Sequence, residues 1–270
     1  GFALPFTVGG MVTASRGYPL HWQTAVLAVV AFGSARFAAM GFNRIADVRY
    51  DALNPRTAGR ELPSGRMSLR EAWMLVLLMS VLFVGCAALL NPLCLALAPL
   101  ALGWVIGYSF TKRFTHFSHL WLGWGLAIAP VGGYLAVSGV WSTPWWLLLL
   151  IAGAVACWVG GFDTLYALQD EDFDRRNGLR SIPVLLGAER AILVARTLHM
   201  LAISLLVAFG VAAHFGPIFA GSVTAAAFLL AWEHRLVRVG DYSKLDAAFF
   251  TMNGVISAVV ALGAIADATL

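Results

Sequence analysis

A long apolar run ends in GGFDTLYALQDEDFDRRNGLRS, residues 160–181, a stretch that carries five acidic side chains. If a helix continues through it, Asp170 and Asp174 stand four residues apart on one face, and Asp163 lies two turns earlier on nearly the same face. Like charges gathered this closely are unfavourable unless they are hydrated or neutralised by a cation. Because carboxylate oxygens suit Mg²⁺, which takes water and phosphate oxygens as further ligands, the stretch predicts a magnesium-diphosphate site.

A second oxygen-rich stretch, GFNRIADVRYD at residues 41–51, also follows an apolar run. Its Asn43, Asp47 and Asp51 stand at i, i+4 and i+8, so a helix presents all three on one face. Two such faces opposite each other predict a two-metal clamp that neutralises the charge of a departing diphosphate. Solvated acids at membrane-helix ends are the alternative for either stretch alone, but the repeated spacing favours a metal site. The predicted ligands are Asn43, Asp47, Asp51, Asp170 and Asp174.

The two stretches resemble the signature motifs of the UbiA superfamily of intramembrane prenyltransferases, NDxxDxxxD and DxxYAxxDxxxDxxxG. The first motif is matched at Asn43, Asp47 and Asp51, with Arg44 where the family often has Asp. The fixed places of the second motif are all matched, by Asp163, Tyr166, Ala167, Asp170, Asp174 and Gly178. The resemblance covers essentially the whole chain and indicates the branch that prenylates hydroxybenzoate-like acids in quinone biosynthesis, including the UbiA-like members of the menaquinone pathway.

Composition independently indicates a membrane protein. Only 12% of the residues are charged and 60% are hydrophobic, whereas about a quarter of the residues of a soluble domain are charged. Apolar runs of about 17 to 25 residues have the length of a membrane-spanning helix, and no alternation typical of membrane strands is sustained. We therefore predict an all-α membrane protein, a single polytopic domain over residues 1–270 with a truncated N-terminus, whose helices surround a central prenyl-binding cavity.

The apolar runs predict nine transmembrane helices, at residues 1–14, 20–42, 69–90, 92–110, 119–139, 144–166, 188–212, 216–234 and 246–266. Lys and Arg gather in alternate loops, and of the 18 basic residues only Arg16 falls on the other side. The positive-inside rule then places both acidic stretches on the cytoplasmic face, in a protein of the bacterial inner membrane. This topology also accounts for the net charge of +4 without a nucleic-acid partner, and leaves lipid as the expected surroundings.

Basic residues beside the acidic stretches are candidates for binding anionic groups. Arg60, in RELPSG, and the neighbours Lys112 and Arg113, in YSFTKRFTHF, can hold phosphate or carboxylate oxygens. The resemblance adds that Lys112 and Arg113 match the family's Lys-Arg element for diphosphate and acceptor binding. Two motif residues, Arg44 and Tyr166, complete the expected substrate-binding set.

Two histidines, His116 and His119, flank the Lys-Arg pair. For a histidine at a membrane interface an ordinary hydrogen bond is the commoner role, and neither is assigned to the site.

The resemblance implies a Mg²⁺-dependent enzyme that transfers a polyprenyl group from its diphosphate to an aromatic acid in ubiquinone or menaquinone biosynthesis. The acid is 4-hydroxybenzoate or 1,4-dihydroxy-6-naphthoate, which the residues do not distinguish. Lys112 is expected to stabilise the leaving diphosphate, Arg113 to pair with the acceptor carboxylate, and Asp163 to orient the acceptor or take its ring proton. The alternative is a secondary transporter, although transporter acids lie near the midplane of broken helices rather than at helix ends.

Overall fold

The structure is a computed structural model that describes residues 3–237, 239, 240, 242, 245 and 251–269. Within these residues it is helical and contains no strand. In chain order the helices of the described part are α1 (Leu4–Ser15), α2 (Trp22–Ala46), α3 (Val48–Leu53), α4 (Leu69–Leu90), α5 (Pro92–Phe114), α6 (Ser118–Ser138), α7 (Trp145–Tyr166), α8 (Glu171–Arg176), α9 (Ile182–Leu186), α10 (Ala188–Ala212), α11 (Pro217–Leu236) and α12 (Asn253–Thr269). A 3₁₀ turn, Ala167–Asp170, joins α7 to α8.

Six of the described helices are long and apolar enough to cross a membrane, namely α2, α4, α5, α6, α7 and α10. Each lies on a predicted span, although α2 and α5 both run four residues further than predicted, to Ala46 and Phe114. The predicted all-α membrane class is thereby confirmed. α1, α11 and α12 lie on the three other predicted spans but fall outside this set, and the predicted start of the last span, residues 246–250, lies outside the described residues.

Large apolar side chains cover the outside of the helix bundle. The exposed fraction is 70% for Val81 and 73% for Leu89 on α4, and 71% for Leu100 on α5. An apolar surface this extensive is unfavourable in water, but lipid tails are as apolar as the side chains themselves. The outer faces of these helices are therefore suited to lipid.

The two helices that carry the acidic motifs have similar surroundings. α2 packs along α4, and α7 packs along α10, so each motif-bearing helix lies against the next long helix of the chain. α7 is also the centre of the main hydrophobic core, where Ile151, Val155 and Val159 are buried among residues of α10 and α11. This burial brings the end of α7, and the second motif that follows it, to the middle of the bundle.

Glycines let α6 lie directly against its neighbours. Gly133 faces the backbone carbonyl of Thr7 on α1, and Gly123 faces the carbonyl of Ala156 on α7. A β-carbon at either position would overlap the facing carbonyl group, so only glycine allows this approach. α6 is consequently held on two sides by backbone rather than by adjustable side chains.

We expect Gly133→Ala to lower the midpoint temperature of unfolding in detergent, because overpacking of this kind costs about 1 to 3 kcal/mol. The matched control is Gly132→Ala. A β-carbon at Gly132 meets no atom within 4 Å, and alanine favours a helix more than glycine does. Equal unfolding temperatures for the two variants would contradict the close approach of α1 and α6.

A tryptophan pair fixes α5 against α6. The rings of Trp104 and Trp121 stack with their centroids 4.2 Å apart. Each indole N–H donates to the other residue's backbone carbonyl, at 3.1 Å from Trp104 and 2.9 Å from Trp121. Since these bonds set α5 relative to α6, they also set the last turn of α5, which carries Lys112 and Arg113, beside the first turn of α6.

Candidate active site

A polar cavity of about 190 Å³ lies where α2, α5 and α7 end. The predicted metal ligands and catalytic residues all line it, and so do four of the five predicted substrate-binding residues: Asn43, Asp47, Asp51, Asp170, Asp174, Asp163, Lys112, Arg113, Arg60 and Tyr166. Arg44 is the exception and lines an adjoining apolar cavity. The two sequence motifs, more than a hundred residues apart in the chain, therefore form one site.

The first motif crosses a helix break without losing its alignment. α2 ends at Ala46, and α3 begins after Asp47. Backbone hydrogen bonds from Asp47 N to Asn43 O, 2.9 Å, and from Asp51 N to Asp47 O, 2.8 Å, continue the helical winding through the break. The Asn43 amide also donates to Asp47 Oδ2 at 2.9 Å. The three residues at i, i+4 and i+8 therefore lie on one helical face, as predicted.

The second motif does not form the single helix on which its predicted face was based. α7 ends at Tyr166, the chain tightens into the 3₁₀ turn, and α8 follows. Asp163, Asp170 and Asp174 nevertheless line the same cavity. Glu171, between them in the chain, instead bonds to Arg175 four residues on, at 2.8 Å.

Arginines neutralise the carboxylates of the first motif. Arg60 Nη1 donates to Asp51 Oδ1 at 2.7 Å, and Arg44 Nη1 lies 3.9 Å from Asp51 Oδ2. Arg113 Nη2 donates to Asp47 Oδ1 at 3.4 Å and to a backbone carbonyl of α2 at 2.7 Å. Burial raises the pKa of Asp47 above its usual value, and the neighbouring Arg113 opposes that rise.

Arg56 makes a two-pronged contact with Asp170 that the sequence analysis missed. Its Nη2 and Nε donate to the two carboxylate oxygens at 2.5 and 3.1 Å, and its Nη1 donates to the Tyr166 hydroxyl at 3.3 Å. Asn54 adds a further bond to Asp170 Oδ1 at 3.1 Å. Arg56 stands four residues before Arg60 in one loop, the same spacing as in the acidic motifs, which was an available signal. These bonds close the loop after α3 over the end of α7.

Lys112 holds the remaining carboxylate. Its Nζ donates to Asp174 Oδ2 at 2.9 Å, and Asp174 is only 2% exposed. The backbone N–H of Arg180 donates to the Lys112 carbonyl at 2.7 Å, which ties the loop after α8 to the end of α5. All four carboxylates in the predicted metal site therefore face a Lys or Arg of the same chain.

The donor chemistry of the cavity fits Mg²⁺. Carboxylate and amide oxygens line both sides, and Asp51 Oδ2 is a buried acceptor with no hydrogen-bond partner in the part of the chain that the structure describes. That part contains no cluster of three or more His, Cys, Asp and Glu side chains arranged to hold a metal ion. The four carboxylates among the predicted metal ligands are each turned towards a Lys or Arg instead.

An apolar cavity of about 520 Å³ continues from the polar one. Side chains of α2, α4, α5 and α6 supply most of its walls, and Asn43, Arg60 and Tyr108 line both cavities. Arg36 of α2 also lines it, and this guanidinium has no hydrogen-bond or ion-pair partner among residues 3–237, 239, 240, 242, 245 and 251–269. Together the two spaces suit a ligand with an anionic head and a long apolar tail.

The UbiA prenyltransferase family matches the chain over residues 3–255. The chain belongs to this family. Its relatives include several named 4-hydroxybenzoate octaprenyltransferase. The one from Yersinia pseudotuberculosis is 32% identical over 92% of this chain and 84% of its own length. The one from Alkalilimnicola ehrlichii is 34% identical over 90% of this chain and 82% of its own length.

Solved structures of UbiA homologues share the fold. The apo structure of a UbiA homologue from Aeropyrum pernix K1 has a TM-score of 0.90 and 36% identity, covering 98% of this chain and 96% of that one. A UbiA homologue from Archaeoglobus fulgidus, bound to GPP and Mg²⁺, has a TM-score of 0.69 and 21% identity over 99% of this chain and 96% of that one. At this lower identity the likeness concerns the fold alone.

Proposed function

We propose that this member of the UbiA family transfers a polyprenyl group from a polyprenyl diphosphate to an aromatic acid. The acceptor is of the 4-hydroxybenzoate or 1,4-dihydroxy-6-naphthoate type, which places the reaction in ubiquinone or menaquinone biosynthesis. One observation carries the proposal: a cavity rich in acidic and basic groups opens into a larger apolar cavity, with three residues common to both. The names of the relatives support the same reaction.

Asn43, Asp47, Asp51, Asp170 and Asp174 would hold Mg²⁺ in the polar cavity. When bound, the ion supplies positive charge that neutralises the diphosphate and polarises the bond to the prenyl group. Four of these ligands are carboxylates that now face Lys or Arg. Release of those basic groups would leave them free to bind anionic oxygens of the substrates.

The basic side chains then divide between the two substrates. Lys112 and Arg60 bind the diphosphate and stabilise its charge as it leaves. Arg113 binds the acceptor carboxylate, since only its Nη2 has a hydrogen-bond partner in the described part of the chain and its other N–H groups can form a fork. Arg44 and Tyr166 complete the substrate contacts from the apolar and polar cavities, respectively.

The apolar cavity accommodates the prenyl chain. Its walls exclude the water that would capture the allylic cation. With the cation held beside an electron-rich ring carbon, the new carbon–carbon bond forms in place of hydrolysis. Asp163 orients the acceptor or takes the ring proton.

Product analysis tests the function. The purified protein is offered Mg²⁺, geranyl or longer prenyl diphosphates, and a panel of aromatic acids, and the products are identified by mass spectrometry. We expect a prenylated hydroxybenzoate or dihydroxynaphthoate. If no acid is prenylated although the protein is folded, the proposed function is wrong.

We further propose nine membrane crossings in the bacterial inner membrane, with the active site at the cytoplasmic face. The loop after α3 and the loop after α8 then lie in the cytoplasm. Ser64 is an exposed position in the first of these loops, and Ser142 is an exposed position between α6 and α7, on the opposite side of the predicted topology.

In a background without its three cysteines, Ser64→Cys and Asn177→Cys should react with an impermeant thiol reagent only from the cytoplasmic side. Ser142→Cys should react only from the other side. Labelling is measured in oriented membrane vesicles, with lysed vesicles as the control for reactivity. Labelling of Ser64→Cys from outside would contradict the proposed orientation of the protein in the membrane.

A further inference from the structure

Asp163 differs from the other acidic residues of the polar cavity in the type of side chain that it contacts. Five aspartates line this cavity, and four of them lie within 4 Å of a Lys or Arg. Asp163 instead accepts a hydrogen bond from a histidine: its Oδ2 lies 2.7 Å from His119 Nδ1. Its Oδ1 has no hydrogen-bond partner among the residues that the structure describes, and its side chain is 15% exposed.

The second ring nitrogen determines the tautomer of His119. The backbone N–H of Ile182 points at His119 Nε2, at 3.4 Å. A backbone N–H only donates, so Nε2 must present a lone pair and the ring proton sits on Nδ1, facing Asp163. A doubly protonated ring would set two N–H donors against each other at Nε2. His119 is fully buried, so its ring is fixed in this orientation by its surroundings.

A histidine occupies a carboxylate differently from the cations beside the other four aspartates. Asp170, for example, bonds through both of its oxygens to the Arg56 fork. The His119 N–H orients the Asp163 carboxylate with a single bond to Oδ2. That bond leaves Oδ1 available on the cavity side.

We propose that His119 is a positioning residue for proton removal, holding Asp163 so that the free carboxylate oxygen takes the proton from the prenylated ring carbon. The inference rests on the proposed function. In the step itself, the prenyl C1–O bond breaks and its electron pair leaves with the diphosphate. The ring carbon then bonds to C1, its C–H proton passes to Asp163, and the electrons of that C–H bond restore the aromatic ring. Asp163 later returns the proton to solvent.

Two kinds of His119 variant test this role. His119→Asn keeps an N–H near the position of Nδ1, whereas His119→Leu and His119→Phe keep bulk but offer no donor to Asp163. We expect kcat of the apolar variants to fall by about tenfold to a hundredfold, the cost of misplacing a reacting group, with little change in the KM of the acceptor. His119→Asn should retain most of the wild-type kcat.

The decisive readout is the kinetic isotope effect on kcat with an acceptor deuterated at the ring carbons that are prenylated. Slower proton removal should raise this effect in the apolar variants above its wild-type value, which a purely structural defect would not do. Low kcat with an unchanged isotope effect, or an Asn variant as slow as the Leu variant, overturns the role of His119. If neither apolar variant accumulates in membranes, kcat and the isotope effect are measured for His119→Asn alone, and a low kcat of that variant overturns the role of His119.

Failure of the proposed function gives a different result from failure of this inference. In the first case the wild-type protein itself forms no prenylated acid. In the second case wild-type turnover is normal and only the response of the His119 variants differs from expectation.

Discussion

Asp170→Asn is expected to lower kcat/KM for prenyl transfer by roughly a hundredfold or more, the typical cost of removing one group that stabilises transition-state charge. The substitution keeps the shape of the side chain but removes the charge that a metal ion requires. It also removes one of the two acceptors for the Arg56 fork, whose contacts measure 2.5 and 3.1 Å. Turnover is measured with the prenyl diphosphate as the varied substrate, and chelation of Mg²⁺ in the wild type should have a similar effect.

Glu171→Gln is the matched control for this variant. Glu171 is the next residue in the chain and is also acidic, but it bonds to the exposed Arg175 rather than lining the cavity. Because an exposed ion pair contributes little, about 0 to 1 kcal/mol, its loss should leave turnover and unfolding temperature nearly unchanged. Full activity of Asp170→Asn, or equal losses in the two variants, would contradict a metal site at the second motif.

Lys112 and Arg113 are expected to affect different substrates, although they are adjacent in the chain. Lys112→Met should raise the KM of the prenyl diphosphate about tenfold or more, in line with about 1.5 to 3 kcal/mol for a charged hydrogen bond, and barely change that of the acceptor. Arg113→Lys should have the reverse effect, because lysine does not form the fork that a carboxylate accepts. The side chains point in different directions in the last turn of α5, Lys112 to Asp174 and Arg113 to Asp47.

Steady-state kinetics with each substrate varied in turn separates these roles. Equal shifts of the donor KM and the acceptor KM in Arg113→Lys would contradict the proposal that Arg113 binds the acceptor carboxylate. A selective rise of the acceptor KM in Arg36→Lys, with Arg113→Lys unaffected, would instead assign the acceptor carboxylate to Arg36, whose guanidinium lines the apolar cavity. The unfolding temperature of Lys112→Met is the stability control, because Asp174 is buried and loses its cation.

Much of the site follows from local periodicity. Hydrophobic runs give the helices, and a spacing of four residues brings Asn43, Asp47 and Asp51 together even though the helix breaks at Asp47. That spacing survives because backbone hydrogen bonds cross the break. Asp170 and Asp174 share the cavity for a different reason, since a 3₁₀ turn and a short helix replace the expected continuous helix.

Contacts between distant segments could not be derived in this way. Arg56 meets Asp170 across 114 residues, and His119 meets Asp163 across 44. No repeat in the sequence sets these distances, which depend on how the loops fold over the ends of α2, α5 and α7. Arg56 and His119, which the sequence did not assign to the site, are accordingly partners of predicted residues in another part of the chain.

The glycine contacts of α6 limit how the apolar cavity can change its size. At Gly123 and Gly133 the helix touches backbone, so a larger residue at either position must move a whole helix. Elsewhere on the cavity wall, Phe83 of α4 and Leu97 of α5 present side chains that can be shortened or exchanged individually. Changes in the length of ligand that fits should therefore evolve by single substitutions of such side chains, while these two positions of α6 stay glycine.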